Sequence, residues 1–398
     1  MALKYFRENI ASLSGYTPGE QPQQGKFIKL NTNENAYPAP DSVMQAIRAV
    51  DAVRLARYPD PDATAFRAAA SAALGVAEDW ILCGNGSDDL LTILVRAFAG
   101  EGDAVRYSEP GYILYPTLCH IQSAVPDPVR YANDWTLDNR FVASADHVRL
   151  AVIANPNSPS GTMIDSHQIA QFASALPCPL VIDEAYVDFA DADALELVKQ
   201  WPNLILTRSL SKSYALAGLR FGYLVAQPEI IERLSRVKDS YNCDTLSIVG
   251  ATAAISDQRW RDENRKQIQA TRARMDEALT AMGFQIPRSH ANFLWCIHPE
   301  KSARDIYEQL KNERILIRYM EYAGWGDGVR ITVGTDPQID ALLEVLPAIL
   351  SRICAIMCRA CGRDAADSTA AFPAATSLRN RVLPRAWWLC PQKIQLHL

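Results

Sequence analysis

Ser209-Leu-Ser-Lys-Ser-Tyr-Ala-Leu-Ala-Gly-Leu-Arg220 holds the densest set of chemically useful side chains in the chain. The apolar run Asn203–Arg208 before it reads as a short strand, so Lys212 emerges near a strand's carboxyl end. Loss of water there disfavours the ammonium form of a lysine and suits it to Schiff-base chemistry. Ser209 and Ser211 supply hydroxyls, and Arg220, eight positions beyond Lys212, supplies a planar cation. Hydroxyls and a forked guanidinium are the means of gripping a phosphate. A Schiff-base lysine beside a phosphate site suggests pyridoxal phosphate. The competing reading is a solvated loop with an ordinary lysine.

Other candidates lie at strand ends upstream. Pro179-Leu-Val-Ile182 reads as a buried strand that runs into Asp183-Glu184-Ala185-Tyr186. A carboxylate at such a place needs a partner, either a structural arginine or a ligand cation such as a protonated pyridine nitrogen. Lys212 follows Asp183 by 29 residues, room for one short helix and one strand. Both side chains are therefore expected at one carboxyl edge of a sheet, where open α/β sheets bind ligands. Leu150–Ala154 is another buried strand, ending in the loop Asn155-Pro-Asn-Ser-Pro-Ser-Gly161. Trp80–Cys83 leads through Gly84-Asn-Gly-Ser-Asp-Asp89 into a helix over 90–98. The glycines allow close backbone approach and the helix start attracts anions, although a plain strand-to-helix turn would use the same residues. Tyr112, after Pro110-Gly111, serves as a lid on an aromatic ring or as core.

The elements that must position these residues alternate strand and helix, which predicts an α/β fold. Further strands are expected at 103–107 and 221–225, and helices at 41–49, 63–74, 228–238 and 246–255. A long charged helix over 259–282 leads into a smaller α/β region with strands at 292–297, 315–318 and 329–333 and helices at 303–312 and 339–353. Residues 1–40, rich in Gly, Pro and Asn, read as an arm rather than a packed element. The expected division is an arm (1–40), a large domain (41–250), a small domain (251–353) and an appendix (354–398).

Bulk properties narrow the class. The chain has 398 residues, 48% hydrophobic and 21% charged, as in soluble globular proteins. A net charge of −5 argues against a nucleic-acid surface. No run reaches the roughly 20 apolar residues of a membrane span. The first ten residues carry Lys4, Arg7 and Glu8 and show no secretory pattern. The nine cysteines are expected as free thiols in a cytoplasmic setting. Four of them lie after residue 353, where Cys354, Cys358 and Cys361 have a loose metal-like spacing without a nearby fourth ligand.

Taken in order, Gly-x-Gly-x-Asp, Asn-Pro-x-x-Pro-x-Gly, Asp-Glu-Ala-Tyr and Ser-Leu-Ser-Lys with arginine eight residues on resemble the fold-type I pyridoxal phosphate aminotransferases. Gly15–Gly19, Asn33-Glu34-Asn35, Arg57-Tyr58-Pro59, Ala217–Arg220, Ile317-Arg318 and Val329–Thr335 narrow the resemblance to the histidinol-phosphate aminotransferase family. It covers about residues 5–352 and not the tail.

The resemblance implies a three-layer α/β/α large domain with a mostly parallel sheet, a smaller α/β domain, and a homodimer. It implies that Lys212 binds the cofactor covalently and shuttles the substrate's α-proton. Asp183 would pair with the pyridine nitrogen, Tyr186 and Asn157 would hold the ring hydroxyl, and Tyr112 would stack on the ring. That family often has Asn before the second proline; this chain has Ser158. The phosphate would sit on Ser87, Asp88, Ser209, Ser211, Arg220 and the partner subunit's Tyr58. Arg330, Arg318, Tyr16 and Asn33 would bind substrate. The implied reaction exchanges an amino group between histidinol phosphate and 2-oxoglutarate, giving imidazole acetol phosphate and glutamate. Aromatic or broad-specificity aminotransferases and threonine-phosphate decarboxylase are the near alternatives. A ligand-binding regulator would need an appended DNA-binding domain. A nicotinamide dehydrogenase would need a third glycine after Gly86.

Overall fold

The computed structural model describes residues 5–13, 19–21 and 25–360. The described residues up to 354 belong to one compact unit. The strands of this unit, in chain order, are β1 (Ile28–Lys29), β2 (Ile81–Gly84), β3 (Ala104–Glu109), β4 (Val125–Arg130), β5 (Val148–Ala154), β6 (Leu180–Asp183), β7 (Leu204–Ser209), β8 (Gly222–Val225), β9 (Phe293–Cys296), β10 (Ile315–Leu316), β11 (Arg318–Tyr322) and β12 (Gly326–Thr332).

Seven strands make the large sheet in the order β2-β8-β7-β6-β5-β3-β4. All neighbours run parallel except at β8, which is antiparallel to β2 and β7. The central strands are buried along their whole length, as apolar runs covered on both faces must be. Side chains alternate between two cores. Ile153, Ile182 and Leu206 face one, and Val152, Val181 and Ile205 face the other. Helices such as Ser87–Phe98 and Thr245–Ser256 supply the outer layers, giving the expected α/β architecture.

One consequence of this topology governs everything functional. The carboxyl ends of β2, β3, β5, β6 and β7 share an edge, and β8, running the other way, begins there. Gly84, Glu109, Ala154, Asp183 and Ser209 thus end at the edge where Gly222 enters. The register pairs Asp183 with Ala154 and Thr207, and Gly222 with Ser209 and Gly84.

A second sheet, β11-β12-β9, is antiparallel and covers a third core that includes Leu294, Val329, Ile331 and Leu342. The structure corrects two expectations. Part of the N-terminal segment is packed: Ile28 and Lys29 pair with Ile315 and Leu316, and Leu30, Asn31 and Asn33 are buried. Its Gly, Pro and Asn content hid the two-residue strand. β4 was missed because it reads Val-Pro-Asp-Pro-Val-Arg; prolines are tolerated there because β4 is the sheet's edge.

Candidate active site

Asp183, the last residue of β6, is 4% exposed. Tyr115 Oη donates to its Oδ2 at 2.8 Å and Thr207 Oγ1 donates to its Oδ1 at 3.2 Å. Burial pushes its carboxyl up to about 6 from 3.8, with the charge of Asp88 adding to the rise and the two hydroxyls opposing it. No Lys or Arg forms an ion pair with Asp183 among the described residues. The neighbouring Glu184 differs: Arg208 Nε lies 2.7 Å from its Oε2, and Arg208 Nη2 reaches Asp193 at 2.8 Å. Of the two adjacent acids, Glu184 has the structural arginine. Asp183 is left for a cation from outside the chain.

Lys212 follows β7 by three residues. Its Nζ is 3.4 Å from the Thr32 carbonyl and 5.8 Å from the centre of the Tyr186 ring. Asn35 Nδ2 holds the lysine's backbone, donating to the Lys212 carbonyl at 2.9 Å and to Asn264 Oδ1 at 2.8 Å. Asn33 Nδ2 donates to Tyr186 Oη at 3.0 Å. The cavity lining between Asp183 and Lys212 includes Tyr112, Tyr186, Ser209 and Ser211.

An anion cup lies at one end. The helix Ser87–Phe98 begins after Gly86, which has φ +85°, and no side chain caps it. A Cβ on Gly86 would stand 2.8 Å from Arg220 Nη2, and one on Gly222 would stand 2.8 Å from Ser87 N. Both glycines therefore keep the cup open. Arg220, itself left-handed at φ 52°, donates Nη1 to Ser211 Oγ at 3.2 Å and Nη2 to Asp88 Oδ2 at 3.4 Å. Tyr112 Oη donates to the other Asp88 oxygen at 3.0 Å, so the Asp88 carboxylate is occupied while its N–H belongs to the helix start.

At the opposite end, Arg318 and Arg330 are cross-strand partners on β11 and β12, and both line the cavity. Arg330 donates Nη1 to Ser158 Oγ at 2.9 Å and Nη2 to the Asn31 carbonyl at 3.3 Å, and its Nε is buried without a partner.

Several candidates sit elsewhere. Asn157 is 1% exposed; its amide donates to the Pro110 carbonyl at 3.1 Å and to Ser160 Oγ at 2.9 Å, bracing the loop behind the cavity. Ser158, one residue on, lines the cavity instead. The turn that begins at Ser158 sends the two neighbouring side chains in different directions. Asn33 does not line the cavity either; it orients Tyr186. Tyr58 is 80% exposed and stacks on Tyr241 at 4.5 Å, away from Lys212's cavity. Tyr16, and Cys361 with the tail, fall outside the described residues. Tyr115, Thr207, Asn35 and Ser158 were not foreseen as site residues. Tyr115 lies in the first turn of the helix Leu114–Gln122 and is buried, so its residue type alone gave no sign that it reaches Asp183.

Pyridoxal phosphate fits this donor set. A buried carboxylate without a cation, a lysine amine, an aromatic face and an open anion cup at a helix start lie along one cavity.

The profile of aminotransferase class I and II matches residues 25–346. The chain is 51% identical over 342 residues to histidinol-phosphate aminotransferase of Rhodopirellula baltica, covering 86% of this chain and 94% of that one.

The chain belongs to the histidinol-phosphate aminotransferase family.

A second member, histidinol-phosphate aminotransferase 1 of Trichormus variabilis, is 44% identical over 87% of this chain and 99% of its own. The crystal structure of the family member from Sinorhizobium meliloti, in complex with pyridoxal-5'-phosphate, superposes with a TM-score of 0.81 at 28% identity, covering 88% of this chain and 99% of that one. Aspartate aminotransferase from Thermus thermophilus, at 19% identity and a TM-score of 0.70, shares the fold.

Proposed function

We propose that this chain uses pyridoxal phosphate to move an amino group between L-histidinol phosphate and 2-oxoglutarate, giving imidazole acetol phosphate and L-glutamate, a reversible step of histidine biosynthesis. The observation that carries the reading is Asp183, buried and without a cation of its own, in one cavity with Lys212. The bound cofactor supplies an electron sink that labilises the substrate's α-hydrogen and lets an amine leave one carbon skeleton and join another.

The chain's own groups do the rest. Lys212's amine would take the proton from the amino donor's α-carbon and pass it to the cofactor, and in the second half-reaction would deliver a proton to the α-carbon of the new amine. Asp183's carboxylate holds a proton on the ring nitrogen, and Tyr115 and Thr207 fix that carboxylate's orientation. Tyr186, held by Asn33, presents its hydroxyl to the ring's oxygen. Tyr112 covers one ring face. The N–H groups of Ser87 and Asp88, with Ser209, Ser211 and Arg220, grip the cofactor's phosphate. Arg330 and Arg318 grip the substrate's anion, a phosphate in one half-reaction and a carboxylate in the other. A guanidinium suits both because its planar fork matches either. Residues 41–250 would thus hold the cofactor and 251–353 the substrate's anionic end.

The proposal includes a cytoplasmic homodimer. No described helix is long and apolar enough to cross a membrane. The exposed Tyr58–Tyr241 stack, flanked by the exposed Val53 and Leu55, supports a face for a second copy.

The test is Lys212→Ala. It should abolish both the visible absorbance of lysine-bound cofactor and turnover, and wild-type enzyme reduced with borohydride should be dead. Turnover surviving either treatment contradicts the assignment. Carbon dioxide released from a phosphorylated amino acid would point to the decarboxylase instead.

A further inference from the structure

The reading above leaves the tip of the β11–β12 hairpin unused. β11 and β12 are joined by Ala323-Gly324-Trp325, with Trp325 N–H donating to the Tyr322 carbonyl at 2.9 Å. Gly324 and Gly326 flank it at φ 71° and 113°. Hairpin tips are normally small and polar, and here the tip presents an indole. That indole stacks on Trp135, with centroids 4.5 Å apart and planes 25° apart, and packs against the core of the large sheet.

The receiving side is built for it. Trp135 closes a turn, its N–H donating to the Ala132 carbonyl at 2.8 Å, and has φ 66°. A bulky residue keeps a left-handed backbone only where its surroundings enforce it. Arg130, the last residue of β4, donates Nη2 to the Ala323 carbonyl at 3.1 Å and pairs with Glu109 at 3.5 Å. A Cβ on Gly324 would stand 3.0 Å from Arg130 Nη1, so the glycine lets the guanidinium lie against the tip.

The other end of the same hairpin carries Arg318 and Arg330. β11 is an edge strand, paired on one side only. Arg318 is held on one side by the β1–β10 pairing that ends two residues before it and along its own strand by β12 and the tip, about 17 Å away at 3.4 Å per residue from Arg330 to Trp325. Trp295 packs edge-on against Tyr322 at 6.2 Å and lies 2.6 Å from where a Cβ on Gly328 would stand, bracing the hairpin between its two ends.

We propose that Trp135, Trp325 and Arg130 form a clasp that docks the hairpin onto the large sheet and so sets the position of the Arg318–Arg330 pair for the substrate's anion. The three are positioning residues. The proposal rests on the reading that those arginines grip the anion. Such a grip lies away from the reacting carbon and contributes equally to ground and transition states, so its loss shows in KM rather than kcat.

The test compares wild type with Trp325→Ala, Trp135→Ala, the double variant and Trp325→Phe, all as holoenzyme with cofactor stoichiometry and Tm measured. KM and kcat are read for histidinol phosphate and 2-oxoglutarate, and the Kd of inorganic phosphate is read by calorimetry without turnover. Each alanine variant should raise both KM values and the phosphate Kd about threefold to tenfold, the size of an aromatic pair's coupling, with kcat unchanged. The double variant should be no worse than either single one, and Trp325→Phe should recover most of the loss. Unchanged KM and phosphate Kd in folded, loaded variants overturn the clasp, as do additive effects or a loss in kcat alone. If the alanine variants fail to fold, Arg130→Met at its half-exposed position carries the same readouts. If wild type does not transaminate histidinol phosphate, the functional reading fails, while the phosphate titration still decides the clasp.

Discussion

Asp183 and Glu184 are adjacent in sequence and have opposite fates. Glu184 points to Arg208, and Asp183 points to two hydroxyls and the cavity. An unfolded aspartate releases its proton near 3.8, whereas folded Asp183 holds it to about 6. The cofactor-free native state therefore binds more protons across that window, and this group's contribution to stability falls as pH rises through it. The fall amounts to about 3 kcal/mol by neutral pH. Denaturant titration of cofactor-free protein should show wild type losing about that much relative to Asp183→Asn between pH 4 and 7. Equal pH profiles would show that burial does not govern Asp183. Tyr115→Phe should leave the fold intact but shift the pH dependence of the bound cofactor's absorbance, because one of the two hydroxyl donors to the carboxylate is gone; an unchanged spectrum across pH would remove Tyr115 from the site. At this scale, the types at strand ends were legible: Lys212, Asp183 and Arg220 needed only apolar runs before or after them. Asn157 and Ser158 were not, because which of two neighbours in a proline-rich loop faces inward depends on contacts with Pro110 and Arg330 that lie far away in sequence.

Elements explain why residues from distant segments converge. Parallel strands end at one edge, and an antiparallel β8 must start there, which brings Arg220 into the cup that Gly86 opens. The strand-helix alternation predicted this sheet well, since buried parallel strands read as unbroken apolar runs. It could not predict that β8 reverses, nor that β4 exists behind two prolines. Short pairings such as β1 with β10 leave almost no local trace. Gly86→Ala tests the cup. It adds a Cβ at φ +85° facing Arg220, at a cost of about 1–3 kcal/mol. Cofactor affinity should drop roughly tenfold to a hundredfold, as read by equilibrium dialysis, with a smaller loss for pyridoxal lacking its phosphate. Equal losses for both ligands would place the phosphate elsewhere.

At the scale of the whole molecule, the division of roles runs between sheets: the large one carries the groups around Lys212, and the small one carries the arginine pair. A second copy would cover the face around Tyr58. Sedimentation should show a dimer, and Tyr58→Ala should weaken cofactor retention without altering Lys212's own cavity; a monomer that keeps full cofactor affinity would contradict that assignment. The fold type was legible from the order of motifs along the chain, because four of them follow the ends of β2, β5, β6 and β7, strands of one sheet.

The central claim is that Lys212 and Asp183 serve one cofactor through both half-reactions. Its most direct test is an absorbance titration of holoenzyme with L-histidinol phosphate and then with 2-oxoglutarate. The visible band of lysine-bound cofactor should disappear with the first addition and return with the second, in wild type and not in Lys212→Ala. A band that ignores histidinol phosphate, or that fails to return with the oxo acid, would contradict the account.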